Sequence, residues 1–214
     1  MRRGGLVLVL SVALLAAGCG SKKSSDPGRD VMAELVAAVK AHDADAIWER
    51  VTKATQGRLG KARTVALVEK ELAPFTRGSY RLLLSQLVTE RFGLVAITTP
   101  KAIVALPFAK EDGRLRADLG APLRVEPTGP RPGVHTEHVP HQVAVEVTGG
   151  PRVEPTAILY LDGDTLLATI YGTAASATVF SNLPQAFTKG RHTVIAFAAT
   201  DFSAAATAWS FTVR

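Results

Sequence analysis

The segment 135–141 holds the residue types that come closest to a metal site in this 214-residue chain. It carries three of the five histidines and one carboxylate: His135, His138, His141 and Glu137. Two histidines and one carboxylate are a recognised zinc-binding set. On an extended strand, however, His135 and His141 lie about 20 Å apart at ~3.3 Å per residue, whereas zinc holds its ligands about 2 Å from one centre. Only a tight turn could gather these side chains, so the sequence predicts an exposed strand or linker here and no metal or other cofactor.

Two further groups in the C-terminal half could take part in chemistry. The acidic triplet Asp162-Gly163-Asp164 resembles part of a calcium loop but lacks the additional oxygen ligands and the distal glutamate of an EF-hand. A hairpin turn explains it fully. His192 is accompanied by no nucleophile motif, and the chain has no Gly-x-Ser-x-Gly elbow. We therefore expect His192 to be a packed strand residue.

The N-terminal half offers acidic and phenolic groups that could line a pocket. They are Asp43, Asp45, Glu69, Glu71, Glu90 and Tyr80. Helix capping accounts for Asp43, and an exposed helix face accounts for Glu69 and Glu71. The apolar positions predicted to point inward are Leu, Val, Met and Phe, which offer no base. The sequence therefore predicts no catalytic residue and no interior ionised carboxylate in this half.

The first nineteen residues carry the features that predict the cellular location of the protein. Arg2 and Arg3 precede the apolar run Leu6–Leu15, and Ala16-Ala17-Gly18 leads into Cys19, the only cysteine. This order is typical of a secretory signal, and the run is too short for the ~20 residues that a membrane span needs. Small residues before a lone cysteine resemble the lipobox of bacterial lipoproteins. The resemblance implies that residues 1–18 are a lipoprotein signal peptide and that Cys19 takes a diacylglycerol; an ordinary signal peptide with a chance cysteine is the alternative.

The charge and composition agree with an exported protein. The formal net charge of +6 falls to +4 when the two arginines of the signal peptide are removed. Such an excess suits a surface that faces anionic lipid or cell-wall polymer, and export together with few aromatic residues argues against nucleic acid. Residues 19–26 form a small, polar segment whose Lys22 and Lys23 could each add ~1 kcal/mol of attraction to an anionic leaflet. We expect a lipidated flexible tether on the outer side of the cell membrane.

Residues 27–119 are predicted to form an α+β domain, with helices first and an antiparallel sheet after them. Pro27 begins the first helix, Asp43 caps the second and Thr64 caps the third. Strands are expected at Tyr80–Thr89, Leu94–Thr98, Ala102–Phe108 and Leu115–Leu119, with an Asp112-Gly113 hairpin before the last. The segments His42–Trp48 and Glu111–Arg116 resemble those of the nuclear-transport-factor-two-like, or SnoaL-like, cone fold. That resemblance implies a sheet wrapped round helices, often with a pocket, and functions from isomerase to inert scaffold.

Residues 120–133 are rich in proline and glycine. Prolines at this density favour a stiff, extended spacer. The sequence therefore predicts a linker between two units that fold independently.

Residues 134–214 are predicted to be all-β. Strands are expected at Val143–Val147, Ala157–Leu161, Leu166–Tyr171, Thr193–Ala198 and Trp209–Val213. Short strands with frequent turns favour a β-sandwich. The segments Leu159–Gly163, Lys189–Val194, Thr200-Asp201 and Trp209–Val213 resemble, in this order, those of bacterial immunoglobulin-like domains.

These features together predict a membrane-anchored, extracytoplasmic lipoprotein that is not an enzyme. Its expected role is a non-catalytic binding or spacer module at the bacterial cell envelope, with an envelope protein or cell-wall polymer as partner. The alternative is a small-ligand carrier or an enzyme that uses a pocket in the N-terminal domain. A non-polar pocket with a convergent carboxylate would favour the alternative, and a cavity filled by side chains would favour the binding module.

Overall fold

The computed structural model describes residues 27–137, 140–183 and 188–214. The predicted signal peptide, the tether and Cys19 lie outside these residues, and so does His138. Among the described residues, no helix is both long enough and apolar enough to cross a membrane.

Three helices and a short 3₁₀ turn form the first layer. They are α1 (Pro27–Lys40), α2 (Ala44–Glu49), α3 (Lys53–Leu72) and the turn Ala73–Phe75. The apolar positions of α1 recur at helical spacing, and Met32, Leu35 and Val39 are accordingly buried. Asp43 caps α2 as predicted, since its carboxylate accepts from the backbone N–H of Ala46 at 2.9 Å.

The third helix begins earlier than predicted. Its N-cap is Thr52, whose hydroxyl accepts from the N–H of Thr55 at 3.0 Å, so the prediction that Thr64 caps this helix is wrong. Gly60 lies within α3 with φ of +70°, and the helix is kinked there. Glycine adopts this conformation without a Cβ clash. Thr64 is instead buried in the middle of the helix.

A four-stranded antiparallel sheet, sheet A, follows the helices. Its strands are β1 (Arg81–Leu87), β2 (Phe92–Thr98), β3 (Ile103–Glu111) and β4 (Arg114–Ala117), in the spatial order β1-β2-β3-β4. Asp112 and Gly113 both have positive φ, 52° and 75°, as a two-residue hairpin turn requires. The predicted order of helices followed by an antiparallel sheet therefore agrees with the structure.

Two further sheets form the predicted β-sandwich. Sheet B has the order β10-β11-β7-β5 and sheet C the order β6-β13-β12-β8-β9. The strands are β5 (Arg124–Gly129), β6 (His135–Thr136), β7 (Gln142–Thr148), β8 (Thr156–Leu161), β9 (Asp164–Leu166), β10 (Thr169–Thr173), β11 (Ser176–Asn182), β12 (Gly190–Ala199) and β13 (Ala204–Val213). Alternate residues of both sheets, Val145, Val194 and Trp209 among them, fill the core between them.

The sandwich differs from the sequence prediction in three places. The predicted linker 120–133 contains β5, because Val125 alternates into the core and Arg124–Gly129 pair with β7. The predicted single strand Leu166–Tyr171 is divided between β9 in sheet C and β10 in sheet B, since the chain crosses from one sheet to the other there. The strand β11 had not been predicted.

Sheet A also packs against the sandwich, on the face that the helices leave open. Strand β2 is buried on both faces: Val95 and Ile97 pack toward the helices, whereas Leu94 and Ala96 pack toward sheet C. Strand β12 alternates in the same way. Its Val194, Ala196 and Ala198 enter the sandwich core, and its Ile195, Phe197 and Ala199 meet sheet A. The molecule is therefore a stack of four layers, in the order helices, sheet A, sheet C and sheet B.

The contact between sheets A and C is at odds with the prediction of two independently folding units. Phe92 and Phe197, 2% and 1% exposed, are buried within it. The Tyr160 hydroxyl donates to the side-chain oxygen of Gln86 across it at 2.8 Å. A fragment that began near Val134 would expose this apolar face and would also lack β5. We therefore expect the two halves to stabilise each other.

Candidate binding cleft

A cleft of about 1040 Å³ opens between the start of α1, the end of α2 and sheet A. The cleft is at the upper end of the range usual for small-molecule sites. Its lining is Gly28, Asp30, Val31, Glu34, Glu49, Arg50, Ser85, Gln86, Leu87, Gly93, Leu94, Val95, Phe108, Lys110, Gly113, Arg114, Leu115 and Arg116.

Strand register determines which side chains share the helix-facing side of the sheet. Phe108 pairs with the fully buried Ala117, and Lys110 pairs with Leu115. Because side chains alternate along a strand, Phe108, Lys110 and Leu115 share this side. Phe108 and Leu115 contact the core beneath the helices. The floor of the cleft is therefore apolar near the core and gains a cation, Lys110, towards the β3–β4 turn.

Helix α1 approaches the sheet closely at one end of the cleft. A Cβ added at Gly28 would lie 2.3 Å from the Ser85 hydroxyl oxygen and 2.6 Å from a methyl of Val95. Only glycine permits this approach. The first turn of α1 therefore lies over β1 and β2, at the opposite side of the sheet from β4.

The acidic groups of the β3–β4 hairpin are held outside the cleft. Both carboxylate oxygens of Glu111 accept from the backbone N–H of Lys53, at 3.2 and 3.1 Å. Asp112 forms an ion pair of 3.0 Å with the Lys53 ammonium. On the opposite wall, Glu34 is engaged by Arg50 at 2.9 Å. The carboxylates of Glu111, Asp112 and Glu34 are thus already paired with groups of the protein.

The cations of the β3–β4 hairpin have fewer acidic partners than its carboxylates have basic ones. Within the described ranges, neither Lys110 nor Arg114 has a carboxylate at ion-pair distance. Arg116 donates to the main-chain carbonyl of Glu49. Its Nε lies 3.9 Å from Glu111 Oε2, and it is buried without a hydrogen-bond partner among the described residues. Lys110 and Arg114 are therefore the cations of this wall that could attract an anion.

None of the six groups predicted to line a pocket lines this cleft. Asp43 caps α2, Asp45 pairs with Lys61, and Glu69 lies 3.6 Å from His42. Glu71 is half-buried on α3 and Glu90 is exposed in the β1–β2 turn. Tyr80 lines a separate, shallower groove, and burial raises the pKa of its hydroxyl. The charged residues that line the cleft were not predicted, although two of them, Arg114 and Arg116, lie in the segment that resembles the cone fold.

One carboxylate of the N-terminal half is interior, which corrects the prediction that there would be none. Asp118 is 2% exposed and forms an ion pair of 2.8 Å with Arg58. The hydroxyl of Thr52 donates to the same carboxylate at 2.9 Å. Asp118 directly follows β4, where the sheet edge meets the start of α3, so the pair fastens the sheet to that helix. It lies outside the cleft and serves packing.

The predicted zinc candidates are not brought together. His135 lies in β6, beside the last residues of β13, and is exposed. Glu137 follows it, and His141 is exposed just before β7. Among the described residues, no three His, Cys, Asp or Glu side chains are grouped to hold a metal ion.

The acidic turn of the sandwich is a hairpin turn, as predicted. Asp162 and Gly163 have φ of +54° and +100° between β8 and β9. One oxygen of Asp162 accepts from the N–H of Thr193 at 2.8 Å, and the other lies 2.7 Å from His192 Nδ1. The Nε2 of His192 lies 2.8 Å from the Thr188 carbonyl. His192 is 6% exposed on its strand, in agreement with the prediction.

These contacts favour a protonated His192. Burial lowers the pKa of the ring. The hydrogen bonds to Asp162 and the Thr188 carbonyl, with the charge of Asp162, outweigh burial and raise the pKa above 6.5. Because the folded-state pKa is raised, His192 stabilises the fold below about pH 6.5, and this contribution is lost as the pH rises through the raised value.

We expect Asp162→Asn to destabilise the protein more in mildly acidic than in alkaline solution. The asparagine oxygen can still accept from Thr193, so the variant removes mainly the charge that faces His192. Denaturant unfolding of both proteins, at several pH values from about 6 to about 9, measures the difference. A difference that grew with pH would contradict this assignment.

The comparisons with known proteins give distant similarity to solved structures. No protein family matches the sequence, and no curated protein matches it either. Among solved structures, CopC from Methylosinus trichosporium OB3b is 18% identical, with a TM-score of 0.33, over 42% of this chain and 92% of that one. PcoC, a methionine-rich copper resistance protein from Escherichia coli, is 14% identical, with a TM-score of 0.30, over 42% and 99%.

A complex of the titin M10 and obscurin-like 1 immunoglobulin domains is also similar. It is 18% identical, with a TM-score of 0.30, over 44% of this chain and 96% of that chain. Similarities of this size carry no inference about function. The all-β sandwich itself rests on the two stacked sheets described above.

Proposed function

We propose that this chain is a bacterial lipoprotein, acylated at Cys19, that acts outside the cytoplasm as a non-catalytic binding or spacer module of the cell envelope. The support for the anchor is the apolar run that ends in small residues before the only cysteine. The tether is short: seven residues lie between Cys19 and Pro27, so eight steps of ~3.5 Å give a reach of at most about 28 Å. The folded part would therefore stay near the membrane surface.

We also propose the finer assignments of the two halves. Helices packed on one face of a four-stranded antiparallel sheet support a cone-like fold for residues 27–119. The two-sheet arrangement supports an immunoglobulin-like domain for residues 134–214, with β5 added from the preceding segment. Neither fold assigns a function by itself.

The packed interior beneath the helices supports a non-catalytic role. Large apolar side chains fill the space between helices and sheet, and Met32, Leu35, Ile47 and Leu72 are each 0% exposed. The only buried carboxylate there that the structure describes, Asp118, is already held by Arg58. This arrangement suits a rigid scaffold better than a desolvated active site.

The observation that carries the proposed binding role is the apolar edge of the sandwich. Leu167 is 92% exposed and Tyr171 is 65% exposed, in and beside β10, an edge strand of sheet B. Tyr171 stacks on Phe180 with ring centroids 5.7 Å apart. Exposed apolar side chains on a strand with unpaired backbone groups are suited to a partner. The partner would be an envelope protein or a cell-wall polymer, and no nucleic acid is proposed.

A photo-crosslinking residue at position 167 tests this role in the cells that make the protein. We expect a discrete adduct with one envelope component in the membrane fraction. The same residue at Arg77, exposed beyond the helical layer, is the matched control and should not give that adduct. Identical adducts from both positions, or none from position 167, would contradict a partner at the β10 edge.

A small-ligand carrier or an enzyme is the second candidate function. The cleft of about 1040 Å³ favours it, because it is large and has charged walls. Turnover of a bound ligand by the purified protein would favour the enzyme over the binding module.

A further inference from the structure

We infer that the cleft of the N-terminal half binds an amphiphilic anion, with a carboxylate or phosphate head at the β3–β4 hairpin and an apolar body along the sheet towards β1. This inference rests on the second candidate function, the small-ligand carrier, and names the ligand class of its cleft. The charges of the hairpin, the apolar floor and the position of α1 support it independently.

The hairpin end of the cleft has an excess of positive charge. Lys110, Arg114 and Arg116 line it, and the hairpin's own acids are held by Lys53. The carboxylate of Glu49 is the acid that remains at this end, because Glu34 is engaged by Arg50. Arg116 lies 3.9 Å from Glu111, so Lys110 and Arg114 are the two cations at this end without an acidic partner among the described residues, against the one free carboxylate of Glu49.

Arg116 lies at the same end, but its Nε is buried and faces Glu111 Oε2 at 3.9 Å. A ligand would therefore meet the other two cations of the hairpin. The neighbouring Lys110 and Arg114 are exposed, and a ligand oxygen could reach them at small desolvation cost. Carboxylates and phosphates are the anions that arginine recognises best.

Away from the hairpin, the cleft has accessible apolar side chains beside the polar Ser85 and Gln86. Leu87, at the end of β1, is 48% exposed and is one of the few large apolar side chains that the described residues leave so open. Its partner in register is Gly93, which offers no side chain to cover it. Val31 on α1 and Leu115 on β4 are only partly buried on either side. An apolar chain of a ligand would cover these surfaces.

The dimensions of the sheet match an elongated ligand. Neighbouring strands lie about 4.8 Å apart, so β1 and β4, separated by three such steps, are about 14 Å from each other. Leu87 lies on β1 and Arg114 on β4. Asp30, in the first turn of α1, also lines the cleft. Its carboxylate would repel an anionic head placed beside it, which favours the hairpin end for the head group.

Calorimetric titration of the full chain carrying Cys19→Ser, which removes the acylation site, tests this inference. Decanoate and decyl phosphate are the probes, and decanol is the neutral control of the same chain length. We expect saturable binding of at least one anion, about tenfold or more tighter than that of decanol. The stronger of the two anions identifies the head group as carboxylate or phosphate.

Variants inside and outside the cleft locate the site. The double variant Lys110→Gln/Arg114→Gln should weaken anion binding about tenfold or more and leave decanol binding unchanged. The variant Leu87→Asn should weaken all three probes. The controls are Lys101→Gln and Leu167→Asn, exposed positions outside the cleft, and they should bind as the parent does. Thermal unfolding midpoints confirm that each variant is folded.

Two results would overturn the inference: decanol binding as tightly as the anions, or undiminished anion binding by the folded double variant. Neither result would alter the crosslinking outcome at position 167. The two experiments therefore test the partner at the β10 edge and the ligand of the cleft independently. Consumption of decanoate or decyl phosphate during the titration would instead count against the non-catalytic proposal.

Discussion

Replacing Trp209 by alanine is expected to destabilise the protein by about 3–5 kcal/mol. The indole is 3% exposed in the core between sheets B and C, where it lies on β13 opposite Val194 of β12. Its Nε1 donates to the Pro130 carbonyl at 2.8 Å. The variant therefore leaves a large cavity and an unsatisfied acceptor, and denaturant unfolding measures the loss.

The variant Trp209→Phe separates packing from hydrogen bonding. It keeps an aromatic ring but leaves the Pro130 carbonyl unpaired, so we expect a smaller loss of about 1–3 kcal/mol. Because Trp48 then remains as the only tryptophan, its fluorescence reports on the helical layer in which it packs. We expect the unfolding midpoint reported by Trp48 to move to a lower denaturant concentration as well, because the two halves share a buried interface. A loss below about 1 kcal/mol for Trp209→Ala would contradict the core position of the ring.

Replacing Arg58 by leucine is expected to cost about 3 kcal/mol. The change leaves the Asp118 carboxylate buried, with only the hydroxyls of Thr52 and Thr55 as partners. Removing one member of a buried ion pair typically costs about 3–5 kcal/mol. We expect the low end of this range because the Arg58 side chain is 27% exposed and water can partly reach the pair.

The double variant Arg58→Leu/Asp118→Asn tests whether the charge itself is responsible. Asparagine can still accept from Thr52 but carries no charge, so it should recover much of the loss. A double-mutant cycle on the free energies of unfolding isolates the coupling between the two residues. Additive losses would contradict the role assigned to this pair.

Local signals account for the parts of the fold that the sequence predicts well. Asp43 caps a helix and Asp112-Gly113 forms a turn because each needs only its chain neighbours. Trp209, Phe211 and Val213 alternate into the sandwich core, and this period of two is visible in the sequence. The predicted interruption at Gly60 is present as a kink, but the start of α3 was placed too late because a helical segment capped by Thr52 precedes the kink.

Features that depend on distant residues could not be predicted in the same way. The prolines around β5 favour a linker, and only the pairing with β7 makes that segment a strand. The runs at β2 and β12 are apolar on both faces, which indicates a doubly buried strand but does not identify the covering layer. The cleft combines α1 and α2 with a hairpin more than sixty residues later, so its charges could not be assembled from spacing alone.

Acylation of Cys19 is the central claim of this account, since the anchor determines where the protein acts and how its cleft and sandwich are presented. Cells that produce the protein or its Cys19→Ser variant are labelled with a traceable palmitate, and the purified chains and membrane fractions are compared. The account predicts label on the parent chain alone, a membrane-bound parent protein and a Cys19→Ser variant that is released or mislocalised. Label of equal strength on both chains, or an unlabelled parent, would contradict it.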